Sequence, residues 1–408
     1  MLTIRGIATT LTALVAGTAT LISPAGAGPD AGSPVLIAGS GTAGNSGDGG
    51  PAGAAELNTP TGIAVAPDGT VYISDTGNRT VRAVSPDGTI STVAGSGRAG
   101  SPDDRLPADA RGTEVDLGSP GNLALGPDGT LYLVDGALFR IFALAPDGAI
   151  SVVAGTGRPG SAGDGGPATA AAINQPGGLA VAADGTLYLG DLANRRVRAI
   201  TPSGTIDTIA GNGASQLTAA GGPATELPLP AVNSISVAPD GDVWLADALV
   251  LHRLRDGEIA TVSRPGDAVT DDGPWTLSTS ATWPPAEPPL NNVAAIAASA
   301  RGVHLYDQGE RKIRRLGPDG VVRTVATLDA QTVGTVVPQL AANGSDTVYL
   351  LATSEHRVYA VHDDGGGAAS PPDDDEAGGA TRWWLLAAGA GVLAVLVAGW
   401  ALTRRRRS

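Results

Sequence analysis

The chain has 408 residues, 42% of them hydrophobic, with only 16% charged and 3% aromatic, alongside 59 glycines and 30 prolines. That is enough apolar sequence for a large core, and the composition excludes both a coiled coil and a charge-dense disordered protein. The absence of cysteine excludes disulfides, a thiol nucleophile and Cys-ligated zinc, and a net charge of -14 argues against a nucleic-acid partner held through its phosphates.

Residues 1–27 read as a secretory signal peptide. Arg5 precedes an apolar run from Ile7 to Ile22, and Ala25-Gly26-Ala27 forms a small-residue cleavage site before Gly28. A repeat array follows. Its first full unit, residues 57–97, holds alternating apolar runs at 62–66, 71–75, 81–85 and 90–95, separated by turns such as Pro67-Asp68-Gly69-Thr70. Asp-Gly supplies the positive φ that a tight hairpin needs. An aspartate closing the second run recurs at Asp75, Asp135, Asp191, Asp247 and Asp307, at steps of 56 or 60 residues. A sixth unit at 340–361 has Ala352 in that slot.

Four antiparallel strands per unit cannot bury both faces alone, so neighbouring units must stack, and radial stacking of such sheets makes a β-propeller. One inner-strand slot holds Ala64, Ala124, Ala180, Ser236, Ala297 and Ala341, small enough for blades converging on an axis. A second-strand slot holds Tyr72, Tyr132, Tyr188, Trp244 and Tyr349, with His304 in the fifth unit, and is read as packing between blades. The sixth unit has no fourth strand of its own. Residues 35–41 match residues 92–97, so the N-terminal strand is expected to complete the last blade. The expected fold is all-β: a six-bladed propeller over residues 28–362, closed by that strand, plus one C-terminal transmembrane helix.

These units resemble the NHL repeat family. Pro60, Gly62, Ala64, Val65, Asp68-Gly69, Tyr72, Asp75, Asn78-Arg79 and Val81-Arg82 carry the likeness, and Pro176, Gly178, Asp184-Gly185, Tyr188, Asp191, Asn194-Arg195 and Val197-Arg198 repeat it. Gly136-Ala137-Leu138 departs from it in the second unit. The resemblance implies a six-bladed binding platform and fixes no ligand.

In this topology the loop after the second strand and the long connection to the next blade share one face, where binding is expected. Asn78, Arg79, Asn194 and Arg195 are candidates in the first loop class. In the second, Asp48 and Asp164 sit in the repeated segment Gly-Asp-Gly-Gly-Pro-Ala. They offer a carboxylate for a polar ligand, although a tight turn entering a short Ala-rich helical turn is the favoured reading. The five aspartates are read as architectural acceptors. His252, His304, His356 and His362 occupy unlike strand positions, so no catalytic residue, metal or cofactor is assigned. The insertion at 262–290 adds Trp275 and Trp283, balanced between recognition and pinning the loop to its blades.

Residues 363–382 form an acidic Gly/Pro-rich linker. Residues 383–402 form an uncharged apolar stretch with tryptophans at both ends, long enough to span a bilayer of about 30 Å. Residues 403–408 form a cytoplasmic arginine tail. The expectation is a single-pass plasma-membrane protein whose outer domain binds an extracellular protein, peptide or glycan, or a membrane partner, but no nucleic acid. The alternative is an extracellular metal-dependent lactonase-like or lyase-like enzyme.

Overall fold

A computed structural model describes residues 32–215, 221–247, 250–263, 275–276, 290, 293–334, 339–344 and 346–365. The expected signal peptide, the linker beyond residue 365, the membrane stretch and the arginine tail lie outside these residues. Among the described residues no helix is long and apolar enough to cross a membrane.

Six antiparallel sheets follow one another in chain order. Blade 1 runs from the axis outward through Gly62–Val65, Val71–Asp75, Thr80–Val84 and Ile90–Ala94. Asp68 accepts the Thr70 N–H and Asp87 the Thr89 N–H, so the carboxylates close their own turns while Gly69 and Gly88 take φ of 93° and 83°.

Blade 6 is built from Gln339–Ala342, Thr347–Ala352 and Arg357–His362, with Pro34–Ala38 as its outermost strand. Val35 pairs with Ala360 and Leu36 with Tyr359, antiparallel. The first strand of the chain therefore closes the ring, as the sequence match between residues 35–41 and 92–97 requires.

The core is divided among the six junctions between blades. Val81, Ala94, Leu117 and Leu133 fill the junction of blades 1 and 2, with Tyr72 against them. Tyr132, Tyr188, Trp244 and Tyr349 occupy four other junctions, which is the interblade packing expected of this slot. Burying each such aliphatic side chain contributes roughly 1.5–3 kcal/mol, so every blade depends on its neighbours.

One element departs from the four-strand expectation. In blades 3, 4 and 5 a short fifth strand lies outside the fourth: Gly166–Pro167, Gly221–Pro223 and Trp275–Thr276. Blades 1 and 2 have single bridges in its place, Pro51 to Thr89 and Arg111 to Ala149. The long connections thus run along the outer rim before turning inward. Glycine and proline in blades 3 and 4 carry no strand signal, and the two residues in blade 5 are too few to show one, so the sequence reads these stretches as loops.

Candidate functional site

The loops after the second strands are held by the buried aspartates. Asp75 accepts the Asn58 N–H at 2.6 Å and the Asn78 Nδ2–H at 2.8 Å. Asp191 accepts from Asn174 and Asn194, both at 2.8 Å. Asp135 accepts three backbone N–H groups, from Gly118, Ser119 and Leu138. Each carboxylate ties its own blade's loop to the connection that enters that blade. Burial pushes all three carboxyls above their ordinary value; the N–H donors pull the other way, joined at Asp75 and Asp191 by the charges of Arg82 and Arg198. The architectural reading of this ring matches its geometry.

Two residues further into the third strand sits an arginine that the sequence reading left unused. The Arg82 and Arg198 side chains are 2% and 0% exposed. Arg82 donates from Nη2 to Asp48 at 2.6 Å and from Nη1 to the Glu56 carbonyl at 2.8 Å. Arg198 repeats this with Asp164 at 2.5 Å and the Ala172 carbonyl at 2.9 Å. The second carboxylate oxygen accepts from Thr92 in one case and Thr208 in the other. Burial raises the Asp48 and Asp164 carboxyls, but the threonine and arginine partners outweigh it and leave both below the ordinary value.

These contacts relocate two candidates. Asp48 and Asp164 lie at the outer rim beside the fourth strand, and their carboxylates anchor the fold from within. The repeated segment does make a tight turn, with Gly47 and Gly49 at φ of 105° and 79°, and enters a short 3-10 helix at Ala52–Ala54, as favoured. Its aspartate was missed as an arginine partner. The signal was present: Asp48–Arg82 and Asp164–Arg198 are both 34 residues apart.

Asn78 and Asn194 are likewise engaged, each bridging its aspartate to a carbonyl of the incoming connection, Gly44 or Gly160, at 2.6 Å. Arg79 and Arg195 stand at the loop's end in the left-handed region, with φ of 57° and 52°. Phe139, Arg311 and His356 hold the same conformation in blades 2, 5 and 6. The Arg195 and Arg311 side chains are exposed and that of Arg79 half-buried, whereas Phe139 packs against the core between blades 2 and 3; the Arg79 and Arg195 carbonyls turn inward onto the glycine that ends a fourth strand. A Cβ on Gly95 would lie 2.2 Å from the Arg79 oxygen, and one on Gly211 would lie 2.3 Å from the Arg195 oxygen.

Beside Arg79 lies a polar cavity of about 360 Å³, bordered by Asn45, Thr80, Ser96 and Gly97. A second, of about 280 Å³, lies at blade 2, where Phe142 replaces the buried arginine and Leu106, Val115 and Leu138 supply apolar wall. Trp275 pairs through its backbone with Val322 at the outer edge of blade 5, and Trp283 lies outside the described residues.

The histidines are dispersed. His252 Nε2 is 3.6 Å from Asp247, His304 Nε2 bonds Asp363 at 2.9 Å, and His356 Nδ1 accepts the Thr59 N–H at 3.1 Å. Among the described residues no three histidine, aspartate or glutamate side chains gather as a metal-ligand set.

Known proteins match this architecture. The Teneurin NHL domain family matches residues 38–159, the stretch that includes blades 1 and 2. Teneurin-m of Drosophila melanogaster is 31% identical over 222 residues, which cover 49% of this chain and 8% of that protein. Teneurin-1 of Mus musculus is 28% identical over 225 residues, again 49% and 8%. The chain thus corresponds to a small part of these relatives. Among solved structures, an auxiliary nutrient binding protein from Bacteroides thetaiotaomicron aligns over 80% of this chain and 75% of its own, with a TM-score of 0.50 and 10% identity. A streptogramin B lyase aligns over 74% of this chain and 92% of its own, with a TM-score of 0.45 and 16% identity. At 10% identity the likeness to the nutrient binding protein is one of fold alone.

Proposed function

We propose that this chain, an NHL-repeat β-propeller, is a membrane-anchored binding platform that offers its long-loop face to an extracellular protein, peptide or glycan. One observation carries the reading: both ends of the described propeller leave on the face of the short turns. The Gly32 N–H bonds the His362 carbonyl at 3.1 Å, and the Asp363 N–H bonds the Asp346 carbonyl at 2.6 Å. Asp346 belongs to the short turn between the first two strands of blade 6. A tether beginning at residue 366 therefore leaves the opposite face, with Asn78, Arg79, Asn194 and Arg195, free for a partner. Interaction loops on a rigid scaffold suit that role.

The chain has no cysteine, so a single introduced thiol reports its location cleanly. Ser96→Cys should react with a membrane-impermeant maleimide on intact cells, and Ser408→Cys only after lysis. Labelling of both only after lysis would refute surface display.

A further inference from the structure

Arg79, Arg195 and Arg311 stand at equal steps of 116 residues. They are the left-handed residue after the second strand of blades 1, 3 and 5. Alternate blades of a six-bladed ring are a third of a turn apart, so the three side chains form a triangle on the long-loop face. Their backbones are fixed: the Arg79 and Arg195 oxygens close onto Gly95 and Gly211, and the Arg311 carbonyl accepts the Leu328 N–H at 2.9 Å.

Most described arginines have a partner. Arg82, Arg198 and Arg314 are buried and bonded, Arg98 pairs with Asp116, Arg158 with Asp103 and Arg323 with Asp319. Arg140 and Arg357 donate to backbone carbonyls. The guanidinium groups of Arg79, Arg195 and Arg311 make no hydrogen bond or ion pair among the described residues, and Arg105 is the other arginine in that position. Three of these four unengaged guanidinium groups share one slot on one face.

We infer that this triangle binds a carboxylate-bearing polysaccharide, a polymer of uronic-acid units. The inference rests on the platform reading and names its partner. A guanidinium fork matches a carboxylate in a bidentate pair, which makes the free arginines anion receptors. The cavity beside Arg79 decides between ligand classes. It is bordered by Asn45, Asn78, Thr80, Thr92, Ser96 and glycine backbone, with Arg82 and the Asp75 carboxylate that Asn58 and Asn78 already engage, and with no aromatic or aliphatic side chain. Protein partners usually anchor through buried aromatic or aliphatic groups, and this cavity offers them no apolar wall. Hydroxyls and a carboxylate on a sugar ring suit it. Three arginines in one slot around one face also suit a repeating polymer, where linked contacts raise affinity without new chemistry.

The negative charge is shared between the two faces: Asp68, Asp87, Asp128, Asp147 and Asp184 stand in the short turns on the far face, while on the long-loop face Asp116, Asp103 and Glu310 are paired with Arg98, Arg158 and Lys312, and Asp104, Asp109 and Glu114 add further carboxylates.

The test uses the full-length protein in detergent micelles with polygalacturonate as the probe, read by calorimetry. Wild type should bind, and binding should weaken with added salt. The triple variant R79Q/R195Q/R311Q should lose roughly 10- to 100-fold in affinity. R105Q should lose nothing, and fully methyl-esterified polygalacturonate should not bind. An unchanged melting temperature certifies the triple variant, since none of its three side chains is bonded within the fold. Absence of polygalacturonate binding, or binding unaffected by the triple variant, overturns the inference. Equal or tighter binding of poly-glutamate with the same arginine dependence overturns the glycan assignment in favour of an acidic peptide. The maleimide labelling is independent of all these outcomes, so the surface-display reading stands or falls separately.

Discussion

Arg82 and Arg198 are among the largest side chains fully buried in the propeller, and an unpaired guanidinium in such a place costs several kcal/mol. Asp48 meets this requirement from the rim, although its side chain is 47% exposed. Asp48→Asn keeps one acceptor and loses the charge. Because solvent screens the pair, the expected loss is modest, roughly 1–2 kcal/mol in urea unfolding at neutral pH. Asp75→Asn should also cost stability, because its new amide hydrogens face the Asn78 donor, yet it should leave ligand binding intact. A second residue-scale prediction concerns Gly95. Its φ is 88° and its missing Cβ leaves room for the Arg79 carbonyl, so Gly95→Ala should destabilise by roughly 2–4 kcal/mol. At this scale the sequence was half legible. An aspartate recurring in five units can be read as architecture. The Asp48–Arg82 pair could not be seen from either residue alone, because its partners lie in different elements and the glycine turns dominate the local signal.

At the scale of elements, the strand pattern, its turns and the closing strand were all readable from alternation and from Asp-Gly. The outer fifth strands were not, since two or three residues, Gly and Pro in blades 3 and 4 and Trp-Thr in blade 5, are too few to show a period. Their distribution explains a feature of blade 6. In blade 1 the covering connection bonds Ile90, whose N–H meets the Gly50 carbonyl at 3.1 Å. The register that pairs Ser91 with Ala83 and Val35 with Ala360 puts Pro34 in the Ile90 slot. Proline has no N–H to offer, so the exposed edge of the closing strand is blunted there even though Val35 and Leu36 are 42% and 44% exposed. Ring closure therefore leaves one managed edge. Deleting residues 34–41 would remove that strand and uncover Arg357–His362 along its whole length. The expected result is a melting temperature lower by roughly 10 °C or more, or loss of a cooperative melt, by circular dichroism. An unchanged melt would show that blade 6 does not need it.

At the scale of the whole molecule, closure has a second lock that no repeat pattern announces. Blade 5 places His304 in the slot that other blades give to an aromatic ring, and its partner is Asp363, just past the last strand of blade 6. Arg315 Nη1 bonds the same carboxylate at 2.5 Å, while its Nη2 reaches the Gly365 carbonyl at 3.1 Å. The cluster joins blade 5 to the point where the chain leaves the propeller. Burial alone would raise the Asp363 carboxyl, but the His304 hydrogen bond, the Gly365 N–H and the Arg315 charge hold it down to about 2. A carboxyl depressed in the fold adds stability above its ordinary value and loses it as pH falls through the folded value. Here the contribution is full above about pH 4 and fades toward about pH 2, with a size of roughly 2 kcal/mol. Asp75, Asp135 and Asp191 are raised and act in the opposite sense, favouring the fold as pH drops, but they are common to wild type and variant and cancel in a difference. Asp363→Asn should thus unfold at lower urea than wild type at pH 7, by roughly 3–5 kcal/mol, because it strands a buried Arg315. The gap should narrow between pH 5 and pH 2. Asp319 separates burial from depression alone: Arg323 also holds it at about 2, but it stands in an open turn. Asp319→Asn should shift the unfolding curve far less than Asp363→Asn, because solvent screens its pair with Arg323, and a loss there equal to that of Asp363→Asn would deny the buried cluster its special part in closing the ring.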